Sequence, residues 1–266
     1  MSVTFIIGPS GSGKSEYVYD SACEKAGDRS ENIKIIVPEQ YTLETEKQII
    51  SKSRTGGLLN ISVLSFNRLA YKGLSKIGGG NIPVIDEEIK NIFIRKIIND
   101  GKGELKIYNN AALKTGVTEE LKSVISELLQ YGIDSEKLKK AALTISDKKL
   151  SDKLSDVSYI YERFKESVTD NGSMALEELI PLFTKRLSES DYLDNAVIYL
   201  DGYTGFTTAQ YDLLRVIIKQ AREVYITVTA NEFEDFMNST SSREDGNNIG
   251  NLFFMSSDII RYISDI

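Results

Sequence analysis

The feature that most limits what this chain can fold into is the run Gly8-Pro9-Ser10-Gly11-Ser12-Gly13-Lys14-Ser15. It lies between an apolar stretch, Val3–Ile7, and a helical pattern, Ser15–Lys25. The run satisfies G-x-x-x-x-G-K-[ST] in full. Glycines at these positions let successive backbone N–H groups turn inward, and the following helix adds its positive end, so the segment suits a phosphate chain. Lys14 would reach the β- and γ-phosphates of ATP, and the Ser15 hydroxyl would ligate Mg²⁺. The bland account of the same letters is a Gly-rich turn with a chance lysine. The strand before it and the helix after it favour the nucleotide.

Four more apolar runs read as strands: Ile33–Val37, Ile61–Leu64, Ala196–Leu200 and Val224–Thr229. They are near-continuous rather than alternating, as strands covered on both faces are. Helical patterns follow most of them, at Thr42–Ser51, Phe66–Lys76 and Thr208–Gln220. Alternating strand and helix predicts a doubly wound α/β domain with a parallel sheet.

From about 85 to 190 the period changes. Ile89, Ile92, Phe93 and Ile97 share one helical face, and so do Val117, Leu121, Val124, Ile125 and Leu128. Leu154, Val157, Ile160, Tyr161 and Phe164 form a third face; Leu176, Leu179, Ile180 and Phe183 form a fourth. With no convincing strand among them, 85–190 reads as an all-helical insertion, entered near Gly78-Gly79-Gly80 and left near Ser190. Residues 1–84 and 191–266 then form one discontinuous P-loop domain. A polar loop is expected over 238–251. The last pattern, Leu252–Ile266, stops without a cap, as in a fragment of something longer.

Composition narrows the chemistry. With no histidine and a single cysteine, Cys23, the chain has no disulfide framework, no usual zinc site and no Ser-His or Cys-His nucleophile pair. Carboxylates, lysine, hydroxyls and backbone amides remain. No apolar run approaches a membrane span and no signal peptide is visible, so a cytoplasmic protein is expected. The net charge of −7 is concentrated in 191–266, which carries five basic and twelve acidic residues. That balance neither announces nor forbids a nucleic-acid partner.

A second carboxylate site would complete the nucleotide chemistry. Ala196–Leu200 ends in Asp201, which would hold Mg²⁺ as a Walker B acid does; the bland reading is a turn former in Asp-Gly. The residue after it, where many NTPases place a water-activating glutamate, is Gly202. No catalytic residue is assigned. Two other loops lie at carboxyl ends of strands, where ligands bind in open α/β sheets. One is Val37-Pro38-Glu39-Gln40-Tyr41-Thr42, in which Thr42 reads as a helix cap. The other, Ser65-Phe66-Asn67-Arg68-Leu69-Ala70-Tyr71, sets aromatics beside an arginine, a combination that stacks bases and holds phosphate. Phe66 could equally be helix core.

The ordered set of Gly8–Ser15, Val-Pro-Glu-Gln-Tyr-Thr, Val63-Leu-Ser-Phe-Asn-Arg-Leu-Ala-Tyr71 and Leu200-Asp-Gly-Tyr-Thr-Gly-Phe-Thr207 resembles the N-terminal part of the AddB family. AddB is the second subunit of AddAB-type bacterial helicase–nucleases, and more distantly resembles superfamily-one, UvrD-type helicases. The resemblance spans the chain and implies a RecA-like P-loop domain, with the insertion where such helicases carry their 1B subdomain. It implies ATP and Mg²⁺, a motor subunit as heterodimeric partner, and work on DNA in double-strand-break repair and recombination. Single-stranded DNA is expected to cross Gln40, Thr42, Phe66, Arg68, Tyr71 and Phe206. The family's nuclease domain and cysteine-held iron–sulfur cluster lie in its C-terminal part, outside this chain. An active helicase reads Asp-Glu at the strand end and Gly-Asp-x-x-Gln after the next strand. Here Asp201-Gly202 and Ala230-Asn231-Glu232 stand instead, so a degenerate, motif-recognising head is implied rather than a motor. A free-standing P-loop NTPase or kinase with a helical lid is the alternative, and a partner-binding domain with a relic phosphate loop is a third reading.

Overall fold

The five apolar runs become the five strands of one parallel sheet. In the computed structural model, which describes residues 2–28, 31–53, 57, 60–78, 82–109, 115–230 and 254–264, the strands are β1 (Ser2–Gly8), β2 (Asn32–Ile36), β3 (Ile61–Leu64), β4 (Val84–Ile85), β5 (Met174–Ala175), β6 (Ala196–Leu200) and β7 (Glu223–Thr229). The large sheet has the order β1-β7-β6-β2-β3. Its pairs are parallel, with Val3 beside Val224, Ile198 beside Val224, Ile33 beside Val197 and Ile33 beside Ile61. The last two strands in sequence are thus driven between the first two. All five carboxyl ends lie along one edge, and the loops leaving them share it.

Two compact units divide the chain: residues 1–80 with 183–266, and residues 81–182. In the first, α1 (Lys14–Lys25) and α2 (Thr42–Lys52) cover one face of the sheet, burying Val18, Ala22 and Ile49 against Ile33, Ile35, Val63, Val197 and Tyr199. The alternate residues Ile36, Leu64, Ile198 and Leu200 are buried as well, which is why these strands read as unbroken apolar runs. Helix α3 (Phe66–Ile77) carries Gly73, where a side chain would collide with the ring of Phe183.

The second unit packs α4 (Glu87–Asp100), α5 (Thr115–Gln130), α6 (Ser135–Thr144) and α7 (Lys148–Asp170) around Ile94, Ile98, Leu121, Ile125, Ile160, Tyr161 and Phe164. It is not all-helical. β4 and β5 form a two-stranded parallel sheet, Val84 beside Met174 and Ile85 beside Ala175, too short for any alternation to show in the sequence. Helix α6 has no apolar period to mark it in the sequence, because Ser-Glu-Lys-Leu-Lys-Lys-Ala-Ala-Leu-Thr is mostly polar. The face of α4 is also turned from expectation. Of the expected face, Ile97 is buried and Phe93 packs against the core, but Ile89 and Ile92 are exposed, and Lys90, Ile94 and Ile98 are buried in their place. The fourth expected helix begins only after β5 and a short 3-10 turn, as α8 (Leu179–Leu187). In the first unit α9 (Thr208–Gln220) and α10 (Phe254–Ser264) complete the helices described. The polar stretch 238–251 and Asn231-Glu232 lie outside the described residues. Among the described residues no helix is long and apolar enough to cross a membrane.

Candidate functional site

At the end of β1 the chain turns through residues 9–13 into α1. Gly11 and Gly13 hold φ of 76° and 86°, the left-handed region glycine enters without strain. Gly13 is the N-cap of α1. A Cβ on Gly8 would lie 2.7 Å from Ser12 Oγ, so a side chain there would make the Ser12 hydroxyl turn aside. Lys14 arches back, its Nζ donating to the carbonyls of Gly8 at 2.9 Å and Pro9 at 2.7 Å. Burial lowers the Lys14 pKa, and the nearby Asp201 carboxylate opposes that shift.

Asp201 ends β6 and is buried, its N–H donating to the Ile36 carbonyl of β2 at 3.0 Å. Thr227 of β7 donates its hydroxyl to Oδ1 at 2.8 Å, and the Tyr19 hydroxyl reaches Oδ2 at 3.5 Å. The same Tyr19 hydroxyl lies 3.3 Å from Thr45 Oγ1, and the Ser15 side chain is near enough to act on its pKa. Burial raises its pKa, which keeps it a donor. The structure therefore brings Ser15 and Asp201 to one tyrosine hydroxyl, with Lys14 within electrostatic reach of Asp201. Tyr19, Thr45 and Thr227 escaped sequence reading. The available signals were small: Tyr19 falls one helical turn after Ser15, and Thr227 is a hydroxyl in an otherwise apolar strand.

The loops after β2, β3 and β6 form a second group. Residues Glu39–Tyr41 make one 3-10 turn leading into α2. Thr42 does not cap α2 as expected. Tyr41 takes the N-cap position without a side-chain bond, and the buried Thr42 hydroxyl donates to the Glu39 carbonyl at 2.9 Å. Gln40 is exposed. Ser65 caps α3, accepting from the Arg68 N–H at 3.3 Å and donating to Glu39 Oε2. Arg68 donates from Nε to Glu39 Oε1 at 2.9 Å, and Tyr71 is exposed on the same helix.

Phe66 is only 2% exposed. Its ring is the floor of an aromatic cluster rather than an open stacking face. It meets Tyr203 at 5.2 Å and Phe206 edge-on at 5.9 Å between centroids. The series continues from Phe206 to Tyr211 at 5.4 Å and from Tyr211 to Tyr262 at 4.2 Å. Burial pushes the Tyr203 hydroxyl well above its ordinary pKa, with Glu39 adding to the shift. Phe206 is half-buried. Gly202 separates this cluster from Asp201 at φ 78°, and a Cβ there would lie 3.6 Å from Pro38 Cδ.

Comparison with known proteins bears on these loops. The chain is 35% identical over 234 residues to the B subunit of the ATP-dependent helicase/deoxyribonuclease of Lachnoclostridium phytofermentans, covering 87% of this chain and 20% of that protein. It is 34% identical over 229 residues to the protein of the same name from Clostridium novyi, covering 86% and 20%. For that of Clostridioides difficile the figures are 32% over 237 residues, 87% and 20%. The chain thus spans about a fifth of the length of the curated relatives it matches. The family described as "ADDB, N-terminal" matches residues 5–266, and the chain belongs to it.

Proposed function

We propose that this chain is the nucleotide-binding, DNA-contacting head of the B subunit of an ATP-dependent helicase/deoxyribonuclease. In this reading it works beside a motor subunit in double-strand-break repair and recombination. It senses a DNA motif rather than driving translocation. The observation that carries the nucleotide part is the glycine turn at the head of α1, with Lys14 folded over it and within electrostatic reach of the buried Asp201. A strand between the loop-bearing β1 and the acid-bearing β6 supports a RecA-like arrangement.

The residues fit ATP and Mg²⁺. The left-handed glycines open the loop amides, α1 presents its positive end, and Lys14 already rests on carbonyls that a phosphate chain would replace. Mg²⁺ commonly keeps water and takes one or two protein ligands with the phosphates, which matches Ser15 and Asp201 without a larger acidic cluster. Bound there, Mg²⁺ would supply charge neutralisation at the phosphates. Thr227 and Tyr19 fix both oxygens of Asp201, so the carboxylate is oriented before any ligand arrives. Turnover is expected to be very slow. Gly202 offers no carboxylate to position water, and an arginine finger from a second domain is worth roughly 10³–10⁵ in rate. The relatives' shared name does not favour a free-standing kinase.

Single-stranded DNA would run over the second group of loops. Gln40, Arg68, Tyr71 and Phe206 offer hydrogen bonds and ring surface, while Thr42 and Phe66 brace the loops from beneath. Calorimetry with Mg·ADP tests the first half: Lys14→Ala should weaken binding at least tenfold, or ~1.4 kcal/mol. Equal affinity would refute the site. For DNA, Arg68→Ala and Phe206→Ala should weaken oligonucleotide binding while the surface control Lys148→Ala does not.

A further inference from the structure

Glu39 has no role in the proposed function, yet it holds the arginine on which that function depends. Its Oε1 accepts from Arg68 Nε at 2.9 Å, and its Oε2 accepts from Ser65, the cap of α3. Both oxygens of one carboxylate are therefore engaged at the amino end of the helix that carries Arg68. That end, with Arg68 and a hydroxyl beside it, would attract a phosphate, and the chain's own anion stands there. Both partners are about half exposed, 51% for Arg68 and 56% for Glu39, so solvent screens the pair and a ligand can displace it.

We infer that Glu39 is a specificity-determining residue of the proposed DNA surface, set to keep Arg68 from binding bare phosphate and to aim it at base edges. Two physical consequences follow from the geometry. A phosphate approaching Arg68 meets a like charge at close range, which weakens sequence-independent binding. An arginine held at Nε presents its terminal Nη pair end-on, the fork that matches guanine O6 and N7. Glu39 thus penalises the contact that carries no sequence information and orients the one that does.

The inference rests on the proposed DNA reading, and the experiment separates the two. Fluorescence anisotropy would measure binding of the 266-residue chain to labelled dT20 and to dT20 with three central guanines, across a salt series. Wild type, Glu39→Gln, Arg68→Ala and the double variant would be compared. Gln keeps the hydrogen-bonding shape and removes the charge. Glu39→Gln should tighten dT20 about three- to tenfold and shrink the preference for the guanine strand. The slope of log K against log salt should steepen by about 0.7, because Arg68 then neutralises one more phosphate of a single strand. All three changes should vanish in the Arg68→Ala background. If Glu39→Gln leaves dT20 affinity, preference and slope unchanged, or weakens dT20, while Arg68→Ala weakens binding, the inference falls and the DNA reading stands. If Arg68→Ala changes nothing, or wild type binds neither strand at about 100 µM, the DNA reading itself falls and takes the inference with it.

Discussion

Each unit of the chain buries a carboxylate, and the two are used differently. Asp156, in the second unit, is saturated by backbone: its oxygens accept from the N–H groups of Lys106, Ile107 and Tyr108 at 2.7–3.0 Å. Asp201, in the first unit, accepts among the described residues only from two hydroxyls, one of them at 3.5 Å, and lies within electrostatic reach of Lys14. Burial alone therefore marks neither as functional. What separates them is what the partners leave over. Three amides from one loop close off Asp156 and hold that loop in shape. Two hydroxyls orient Asp201 without saturating its carboxylate among the described residues, which is the capacity the proposed Mg²⁺ would use.

If that contrast is right, the largest stability losses belong to the second unit and carry no functional signature. Lys90 is fully buried, with Nζ 2.7 Å from Glu177, 2.9 Å from Glu87 and 2.8 Å from Ser126 Oγ. Lys90→Ala would strand Glu177, whose other oxygen has no partner among the described residues. Breaking a buried pair this way costs roughly 3–5 kcal/mol. Urea unfolding should show that loss, with Mg·ADP affinity of the folded fraction unchanged. Asp156→Ala follows, at about 3 kcal/mol, because it leaves three amides without their acceptor. A nucleotide-affinity change in either variant would break the comparison.

The same contrast explains what sequence could reveal. The strands β2, β3 and β6 were legible because residues on both of their faces are buried, and covered strands spell themselves in unbroken apolar letters, whereas β1 reads as a strand although none of its residues is fully buried. The glycine turn before α1 was legible because the left-handed φ at Gly11 and Gly13 leaves few substitutes for glycine. Lys90 was not: a buried lysine interrupts the apolar period, and its carboxylate partner Glu177 lies far along the chain, while the apolar letters of Ile89 and Ile92 fall on exposed positions. Thr42 looked like a cap because caps are read from residue type, whereas a preceding 3-10 turn moved the cap position to Tyr41. Glu39, Tyr19 and Thr227 were invisible for a third reason. Each matters only through a side chain brought to it by another strand or helix.

On the open side of the comparison, Asp201→Asn should be gentle on the fold and harsh on the ligand. Asparagine still accepts from Thr227, so stability should change by less than ~1 kcal/mol. Mg·ADP should bind about tenfold more weakly, while metal-free ADP is nearly unaffected. Calorimetry with and without Mg²⁺ separates these outcomes. Equal losses in both conditions would mean that Asp201 supports the loop and does not meet the metal.

The smallest expected effect lies at the opposite, amino-terminal edge of the same sheet, where a carboxylate is neither sealed nor open. Glu223, the first residue of β7, accepts from Lys25 at 2.7 Å, Tyr225 at 2.7 Å and Arg222 at 3.2 Å. The Lys25 hydrogen bond, seconded by Tyr225, holds its carboxyl at about 2 against an ordinary 4.5. A carboxylate with a depressed pKa contributes stability that is fully present above about pH 4.5 and is lost as pH falls toward 2. With solvent screening of this partly exposed network, the contribution is about 1 kcal/mol. Glu223→Gln should therefore unfold more easily than wild type in urea at pH 7, and the gap should close between pH 4.5 and pH 2. A gap that persists unchanged at the acid end would assign the effect to packing at the foot of β7 rather than to charge.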